Sequence, residues 1–208
     1  MAGGDLAGHK RAAADLGAWL VFEDESGQGL RPPKGRTWGR RGATPVVAVR
    51  AAGSGRISIA GLVCIKPGHD PRLIYRTIVH HGRKDEPKGF TEDGYAVLLD
   101  AAHQQLGGPL VVVWDNLNAH VSTRMRRYIA GRDWLRVFQL PAYAPELNPT
   151  EGVWSHLKRG LTNLTSRSID DIASLVKTHL KRMQYRPTLL TGITARTGLD
   201  FNPPNIGP

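Results

Sequence analysis

Residues 110–115 read LVVVWD, five apolar side chains in a row that end in an acid. A short continuous apolar run of this kind is typical of a strand buried on both faces of a sheet. Before it, residues 95–102 carry apolar side chains at helical spacing, and the glycines and proline of residues 107–109 end that helix. Thr91 is the expected N-cap. The stretch therefore predicts a helix that leads into a buried strand, with Asp115 at the strand's carboxyl end.

Towards the amino terminus, apolar segments bounded by turn residues predict further strands. Three of them are expected to form an antiparallel meander: residues 18–24, 45–51 and 57–65. The glycine-rich residues 52–55 provide the tight connection between the second and the third. Residues 73–79 are a candidate for one more short strand.

Beyond residue 115, helices and strands alternate. A helix over residues 121–129 leads to a strand at residues 134–140, and further helices start near Pro149 and span residues 168–184. Two strands joined through a helix are expected to be parallel, with a right-handed crossover. The order β-β-β-α-β-α-β-α, with an added C-terminal helix, predicts an α/β fold with a mixed five-stranded sheet.

The composition of the 208 residues is typical of one domain without disulfides. Cys64 is the only cysteine, and within its apolar run we expect a buried thiol in a reducing compartment. No segment approaches the roughly 20 apolar residues of a membrane span, and the amino terminus lacks the apolar core of a signal peptide. These features predict a cytoplasmic protein.

The formal net charge is +10. Because Lys and Arg displace the counterions of a phosphate backbone, a polyanion is the expected partner, although solubility alone or an Arg-favouring genome would also give this balance. The cations are grouped, which favours nucleic acid. The three clusters are Arg31, Lys34, Arg36, Arg40 and Arg41; Arg124, Arg126, Arg127, Arg132 and Arg136; and Lys177, Lys181, Arg182 and Arg186.

Three acids stand at the ends of predicted elements: Asp24, Asp115 and Glu151. Each has an ordinary explanation by itself. Asp is common in turns after strands, and Glu151 follows Asn148 and Pro149 as a capping-box residue follows an N-cap. Brought together by a fold, however, three such acids hold divalent metals for phosphodiester chemistry.

Strand parity separates Asp24 from the acids beside it. Side chains alternate across a strand, so Asp24 shares a face with Leu20 and Phe22, whereas Glu23 and Glu25 share the other. Only one of these faces presents a carboxylate to a given site, and Asp24 is the candidate.

Four segments and one lysine together resemble bacterial insertion-sequence transposases of the mariner-like superfamily. They are residues 22–26 (FEDES), 36–45 (RTWGRRGATP), 114–120 (WDNLNAH) and 143–154 (YAPELNPTEGVW), with Lys158. The resemblance implies a ribonuclease H-like core with a DDE triad, in which Asp24, Asp115 and Glu151 are the three acids in order. It also implies two Mg²⁺ ions, with Mn²⁺ as a substitute, in a site that cuts and joins transposon-end DNA.

The resemblance also implies a domain division and partners. Residues 1–17 would be a flexible segment, residues 18–186 the catalytic domain and residues 187–208 a tail. The partner would be double-stranded DNA, both transposon ends and target, which predicts association with the nucleoid. The expected DNA contacts are Arg36, Arg40, Arg41, Asn116, His120 and Lys158.

Transposases of this kind usually carry helix-turn-helix modules before the catalytic core, and residues 1–17 are too few to hold one. A separate helix-turn-helix polypeptide or a frameshifted longer product is therefore expected to recognise the transposon ends. A homodimer is compatible with the sequence. Two alternatives remain open: a catalytically inactive remnant that binds DNA, and a stand-alone ribonuclease H-like nuclease that acts on RNA or hybrids.

Overall fold

The computed structural model describes residues 6–33, 40–42, 55–140, 147–162 and 168–198. It contains a five-stranded sheet in the order β3-β2-β1-β4-β5. The strands are β1 Trp19–Gly29, β2 Arg56–Ile65, β3 Arg72–His80, β4 Leu110–Trp114 and β5 Leu135–Gln139. β1, β2 and β3 pair antiparallel, whereas β4 runs parallel to β1 and to β5. The predicted mixed five-stranded α/β sheet is confirmed.

Helices cover both faces of the sheet. In the described ranges they are α1 Leu6–Asp15, α2 Glu92–Leu106, α3 Asn118–Val121, α4 Thr123–Ala130, α5 Pro149–Gly160, α6 Ile169–Gln184 and α7 Pro187–Ala195. One face packs against α2 and α4, and the other against α1, α5, α6 and α7. None of these helices is long and apolar enough to cross a membrane.

The two apolar cores explain why β4 is a continuous apolar run. All five of its side chains are buried, and they alternate between the cores, so that Val111 and Val113 face α5 and α6 while Val112 and Trp114 face α2. β1 alternates in the same way, with Leu20 and Phe22 in the first of these cores. The predicted parity of β1 is therefore confirmed.

The helix ends follow local chemistry. The Thr91 hydroxyl accepts from the Gly94 N–H at the start of α2, and Gly107 ends α2 with φ +64°, a conformation that costs glycine little. Ser168 and Asp171 form a reciprocal capping box at the start of α6. The predicted starts of both helices are confirmed.

Several elements differ from the sequence-based expectation. The predicted flexible segment contains α1, which buries Ala13 against the sheet, and the predicted tail contains α7, which buries Leu190. Ser122 divides the helix expected over residues 121–129, because it is extended and its hydroxyl accepts from the Met125 N–H. The domain boundaries themselves remain predictions.

The meander is also built differently. β1 pairs directly with β2, and β3 is the third strand, so the candidate strand at residues 73–79 belongs to the sheet. The strand predicted at residues 45–51 lies outside the described residues. Cys64 on β2 is a fully buried free thiol, as predicted.

Candidate active site

Asp24 and Asp115 are neighbours at one edge of the sheet. β1 and β4 pair in parallel as far as Phe22 and Val113. Continuing this register by two residues, just past the end of β4, brings Asp24 opposite Asp115. The predicted end of the first strand at residue 24 is wrong, because β1 continues to Gly29 in its pairing with β2. Asp115 lies at the carboxyl end of β4, where open α/β sheets bind their ligands.

Two buried hydrogen bonds tie the start of α5 to this edge. Asn148 Nδ2 donates to the Glu23 carbonyl oxygen at 3.2 Å. Thr150 Oγ1 donates to the Phe22 carbonyl oxygen at 3.0 Å. The first turn of α5, which carries Glu151, is thereby held beside the middle of β1.

A third bond reaches the Asp24 side chain itself. Trp154 is buried, and its Nε1 donates to Asp24 Oδ2 at 3.0 Å. Gly61 stands opposite Asp24 on β2, and a Cβ added at Gly61 would lie 2.6 Å from Trp154 Cη2. The missing side chain of Gly61 therefore makes room for the indole that orients Asp24.

The electrostatics of Asp24 show that the three acids share one neighbourhood. Its pKa is raised from 3.8 to about 6, first by burial, then by the charge of Glu151, with a smaller contribution from Asp115. Hydrogen bonds from the Glu25 N–H, at 2.9 Å, and from Trp154 only partly offset these effects. Asp24 thus lies within electrostatic reach of the other two acids that the sequence singled out.

Asp115 is held in the ionised form. Although burial alone would raise its pKa, the hydrogen bonds from the His120 imidazole and the Leu117 N–H lower it. Oδ1 accepts both of them, from His120 Nδ1 at 2.9 Å and from the Leu117 nitrogen at 3.1 Å. About half of the carboxylate surface remains exposed, with a side-chain exposure of 49%.

Glu151 is exposed and does not act as a cap. Asn148 caps α5, with Oδ1 accepting from the Thr150 N–H at 3.0 Å. Among the described residues no return bond joins the Asn148 backbone to the Glu151 carboxylate. The predicted capping box is therefore wrong. The Glu151 carboxylate remains available to other partners.

Glu23 is an acid of the opposite face that sequence reasoning did not single out. It is buried, and its pKa is raised well above the ordinary value by burial and then by Asp24, Glu25 and Asp115. His120 Nε2 lies 3.3 Å from Glu23 Oε2, within ion-pair distance but not aligned as a hydrogen bond. The alternation of side chains along the strand placed Glu23 on the face of the sheet opposite Asp24. No sequence pattern indicated that His120 packs on the same face as Glu23.

The predicted DNA contacts fall into three groups. Arg40, Arg41, Asn116 and Lys158 are exposed, and Arg36 lies outside the described residues. His120 is buried, stacked on Trp114 with ring centroids 4.2 Å apart and planes 1° apart. The prediction that His120 contacts DNA is corrected, because a side chain enclosed in the core cannot reach a phosphate.

Two surface recesses adjoin Glu151. A cleft of about 370 Å³ is lined by Glu151, Trp154, Lys158 and Arg159. A groove of about 590 Å³ runs between α5 and α7, and its walls include His156, Arg159 and Arg196. The pKa of His156 is lowered by burial and then by Arg159, His179 and Arg186, so the region around the groove is electropositive.

The donor set suits a hard divalent cation, because it consists of carboxylate oxygens alone. Ionised together, the three acids repel one another, as the raised pKa of Asp24 shows, and a cation would relieve that repulsion. In the described part of the chain no three His, Cys, Asp or Glu side chains are drawn close enough to enclose a metal. Binding would therefore require the carboxylates to turn towards one another.

Comparisons with known proteins identify the family of this chain. Residues 19–176 match the family model described as DDE superfamily endonuclease. No curated protein matches the sequence.

Solved structures share the fold. The Mos1 transposase paired-end complex with left transposon end aligns with 95% of this chain and 60% of its own, at 14% identity and a TM-score of 0.58. The mariner Mos1 paired-end complex with Mg aligns with 86% of this chain and 53% of its own, at 15% identity and a TM-score of 0.60. The chain thus spans little more than half of these proteins. At such low identity the likeness shows the fold, which is the predicted ribonuclease H-like one.

Proposed function

Since this chain belongs to the DDE superfamily endonucleases, we propose that it cuts and joins DNA strands at transposon ends. Asp24, Asp115 and Glu151 would hold two Mg²⁺ ions, for which Mn²⁺ would substitute. The observation that carries the proposal is that β1 and β4 pair in parallel beside Asp24 and Asp115, while hydrogen bonds from α5 to β1 hold the turn that carries Glu151 next to them. In agreement with this geometry, Glu151 and Asp115 add to the rise that burial causes in the pKa of Asp24, to about 6. When bound, such ions activate the attacking oxygen and stabilise the leaving oxygen of a phosphodiester.

The protein's own contribution is to orient the acids. Asp24 is fixed by the Glu25 N–H and the Trp154 indole, and Asp115 by the Leu117 N–H and His120. Preorganised ligands of this kind avoid reorganisation during the reaction. Glu151 is exposed on the first turn of α5, where the helix dipole favours an anion and the side chain is free to adjust.

Cations beside Glu151 would bind the DNA backbone. Lys158 lines the cleft next to Glu151, and Arg159 lines both recesses. In the described part of the chain neither forms an ion pair with an acid. Glu151 and Arg159 are eight residues apart on α5, about 12 Å, which equals three to four base-pair steps of roughly 3.4 Å along the axis of a DNA duplex. The Arg40 and Arg41 contacts with phosphates stay predictions.

The test of the activity is metal-dependent nicking of a plasmid that carries transposon ends. We expect cleavage with Mg²⁺ or Mn²⁺ and none with EDTA. In Asp115→Asn the cleavage rate should fall by more than about 100-fold, because replacing a residue that only supports a metal ligand already lowers activity by about 10–100-fold. Asp70→Asn is the matched control, because Asp70 is an exposed acid in the turn between β2 and β3, at the opposite edge of the sheet. If Asp115→Asn cleaves as fast as the wild-type protein, the proposal is wrong.

Comparing substrates distinguishes the proposed function from the two alternatives, an inactive DNA-binding remnant and a stand-alone nuclease. Salt-sensitive DNA binding without any metal-dependent cutting would indicate an inactive remnant. Cleavage of an RNA–DNA hybrid in preference to duplex DNA would indicate a stand-alone nuclease.

Lys158→Gln should weaken DNA binding through the phosphate backbone. One lost phosphate contact lowers the slope of log K against log salt by about 0.9. The measurement is fluorescence anisotropy with labelled duplex DNA, without metal, over a range of salt. Arg72→Gln is the control, because Arg72 is exposed at the start of β3, at the opposite edge of the sheet. An unchanged slope in Lys158→Gln would remove this residue from the interface.

A further inference from the structure

A buried imidazole connects the exposed acid Asp115 to the interior acid Glu23. His120 Nδ1 lies 2.9 Å from Asp115 Oδ1, and His120 Nε2 lies 3.3 Å from Glu23 Oε2. The His120 and Glu23 side chains are 0% and 1% exposed, respectively. Only the Asp115 end of this chain of three residues reaches solvent.

Aromatic rings hold the imidazole in one plane. Trp114 stacks on one side of His120 at 4.2 Å, and Tyr95 meets it edge-on at 4.5 Å, with ring planes 72° apart. The Asp115 backbone carbonyl also lies 3.2 Å from His120 Nδ1. Because the ring is clamped in this way, Nδ1 faces Asp115 and Nε2 faces Glu23.

Glu23 has no obvious structural reason to be an acid. Neither of its carboxyl oxygens has a hydrogen bond among the described residues, and a buried carboxyl without such bonds is unfavourable for folding. An apolar side chain at this buried position would avoid that penalty. What Glu23 provides is a polar group opposite His120 Nε2.

We infer that His120 is a positioning residue that fixes the Asp115 carboxylate, and that Glu23 is the buried acid that sets the orientation of the imidazole. The inference rests on the proposed function in one respect, that Asp115 is a metal ligand. Nδ1 carries a proton and donates to Asp115, which accepts only. Nε2 lies 3.3 Å from Glu23 Oε2, within ion-pair distance. In many metal sites an acid that does not touch the metal orients a histidine that does. Here the histidine is the supporting residue, and it orients a carboxylate that is proposed to bind the metal.

Glu23→Leu separates a positioning role from a purely structural one. Removing a buried, unsatisfied carboxyl should raise the melting temperature of the metal-free protein. It should at the same time weaken Mn²⁺ binding about 10- to 100-fold, the range for outer partners of metal ligands. Calorimetry with Mn²⁺ alone, together with a thermal melt, measures both quantities. Unchanged Mn²⁺ affinity in a folded Glu23→Leu protein would overturn the inference.

Two His120 variants test the same idea without altering Glu23. The amide nitrogen of Asn superposes on Nδ1 of His, and that of Gln on Nε2, so only His120→Asn can still donate to Asp115. We expect His120→Gln to lose at least tenfold more Mn²⁺ affinity than His120→Asn. Equal losses in the two variants would contradict the positioning role, and this pair decides the matter if Glu23→Leu does not fold.

The failure of this inference can be told from failure of the proposed function. If Asp115→Asn binds Mn²⁺ as the wild-type protein does, the proposed metal site is wrong. In the metal-free protein, ¹⁵N spectra of His120 report its contacts directly, and its nitrogen shifts should change in both Asp115→Asn and Glu23→Leu. A His120 spectrum that does not respond to either substitution would refute the connection itself.

Discussion

Replacing Asp24 by Asn is expected to abolish strand cleavage and, in the same molecule, to raise the stability of the metal-free protein. The loss of activity should exceed about 100-fold, because Asp24 is a proposed direct ligand and outer partners alone are worth about 10–100-fold. The gain in stability has a separate cause. The ionised Asp24 carboxylate destabilises the folded state, and the neutral amide of Asn removes that destabilisation.

That cost follows from the pKa of Asp24, which is about 6 in the folded protein against an ordinary 3.8. Well below pH 3.8 the carboxyl is protonated in both the folded and the unfolded state, and its charge does not affect the free energy of unfolding. Between pH 3.8 and about 6 the unfolded state is ionised while the folded state keeps its proton, and above pH 6 the folded state is ionised against burial and Glu151. Stability therefore falls over this window, by up to about 3 kcal/mol for a shift of roughly two pH units.

The Asp24→Asn substitution would remove this pH dependence. The new amide has one acceptor oxygen for two N–H donors, those of Glu25 and Trp154, so one hydrogen bond is lost at a cost of about 1–2 kcal/mol. The expected net gain at pH 7.5 is about 1–2 kcal/mol, the difference between the relieved charge and the lost bond.

Urea unfolding in EDTA between pH 4 and 8 measures this gain, with Asp70→Asn as the control. A second measurement is the effect of Mg²⁺ on the free energy of unfolding. Mg²⁺ should stabilise the wild-type protein but not the Asp24→Asn variant. A variant that is less stable than the wild-type protein at pH 7.5 would contradict the electrostatic account.

Trp154→Ala should be among the most destabilising single substitutions in the chain. Trp154 is one of the largest fully buried side chains, and truncating a buried Trp costs about 3–5 kcal/mol. Trp154→Phe keeps an aromatic ring but loses the donor to Asp24 Oδ2, so we expect a smaller loss of about 1–2 kcal/mol for the missing hydrogen bond and the reduced packing. Urea unfolding distinguishes the two variants.

Gly61→Ala tests the same contact from β2. The new Cβ would lie 2.6 Å from Trp154 Cη2, and overpacking of this kind costs about 1–3 kcal/mol. A phenyl ring lacks the outer indole atoms that clash, so combining Gly61→Ala with Trp154→Phe should cost less than the sum of the single changes. Gly27→Ala is the control, since its nearest contact, the Ile57 carbonyl oxygen, lies at an ordinary 3.7 Å. Strict additivity would show that Gly61 does not serve the indole.

The fold could be read from the sequence wherever one local pattern determined one element. The run at residues 110–115 indicated a buried strand because both faces of β4 are covered, and Thr91 and Gly107 bounded α2 by local capping. The antiparallel partner of β1 could not be read in this way, because strand pairing depends on which segments meet and not on the pattern of either one. α1 and α7 were missed because both helices are short, and their apolar residues become informative only once they are seen packed in the core of the fold.

The acids of the candidate site could be predicted from the sequence, but the residues that orient those acids could not. Asp115 follows the end of β4 and Glu151 lies in the first turn of α5, as predicted, whereas Asp24 lies in the middle of a strand longer than predicted. The parallel pairing of β1 with β4 and the hydrogen bonds from α5 to β1 bring these segments together. The contacts of Trp154, Gly61 and Glu23 are long-range packing relations, and a single sequence carries no local signal for them. Burial also reversed the interpretation of His120, which the sequence placed at the DNA surface and the fold places beneath Asp115.

The bonds that fasten α5 to β1 have a consequence for biosynthesis. They join residues 125, 128 and 130 positions apart. Asp24 on β1 therefore cannot be oriented until residues 148–154 have been synthesised. A nascent polypeptide that has emerged only as far as β5 already contains Asp24 and Asp115 but lacks Glu151 and the indole that holds Asp24. On the proposed function, the capacity to cut DNA would then be withheld until residues 148–154 have been synthesised and have packed on β1, and products that terminate before them would be harmless to the DNA around them.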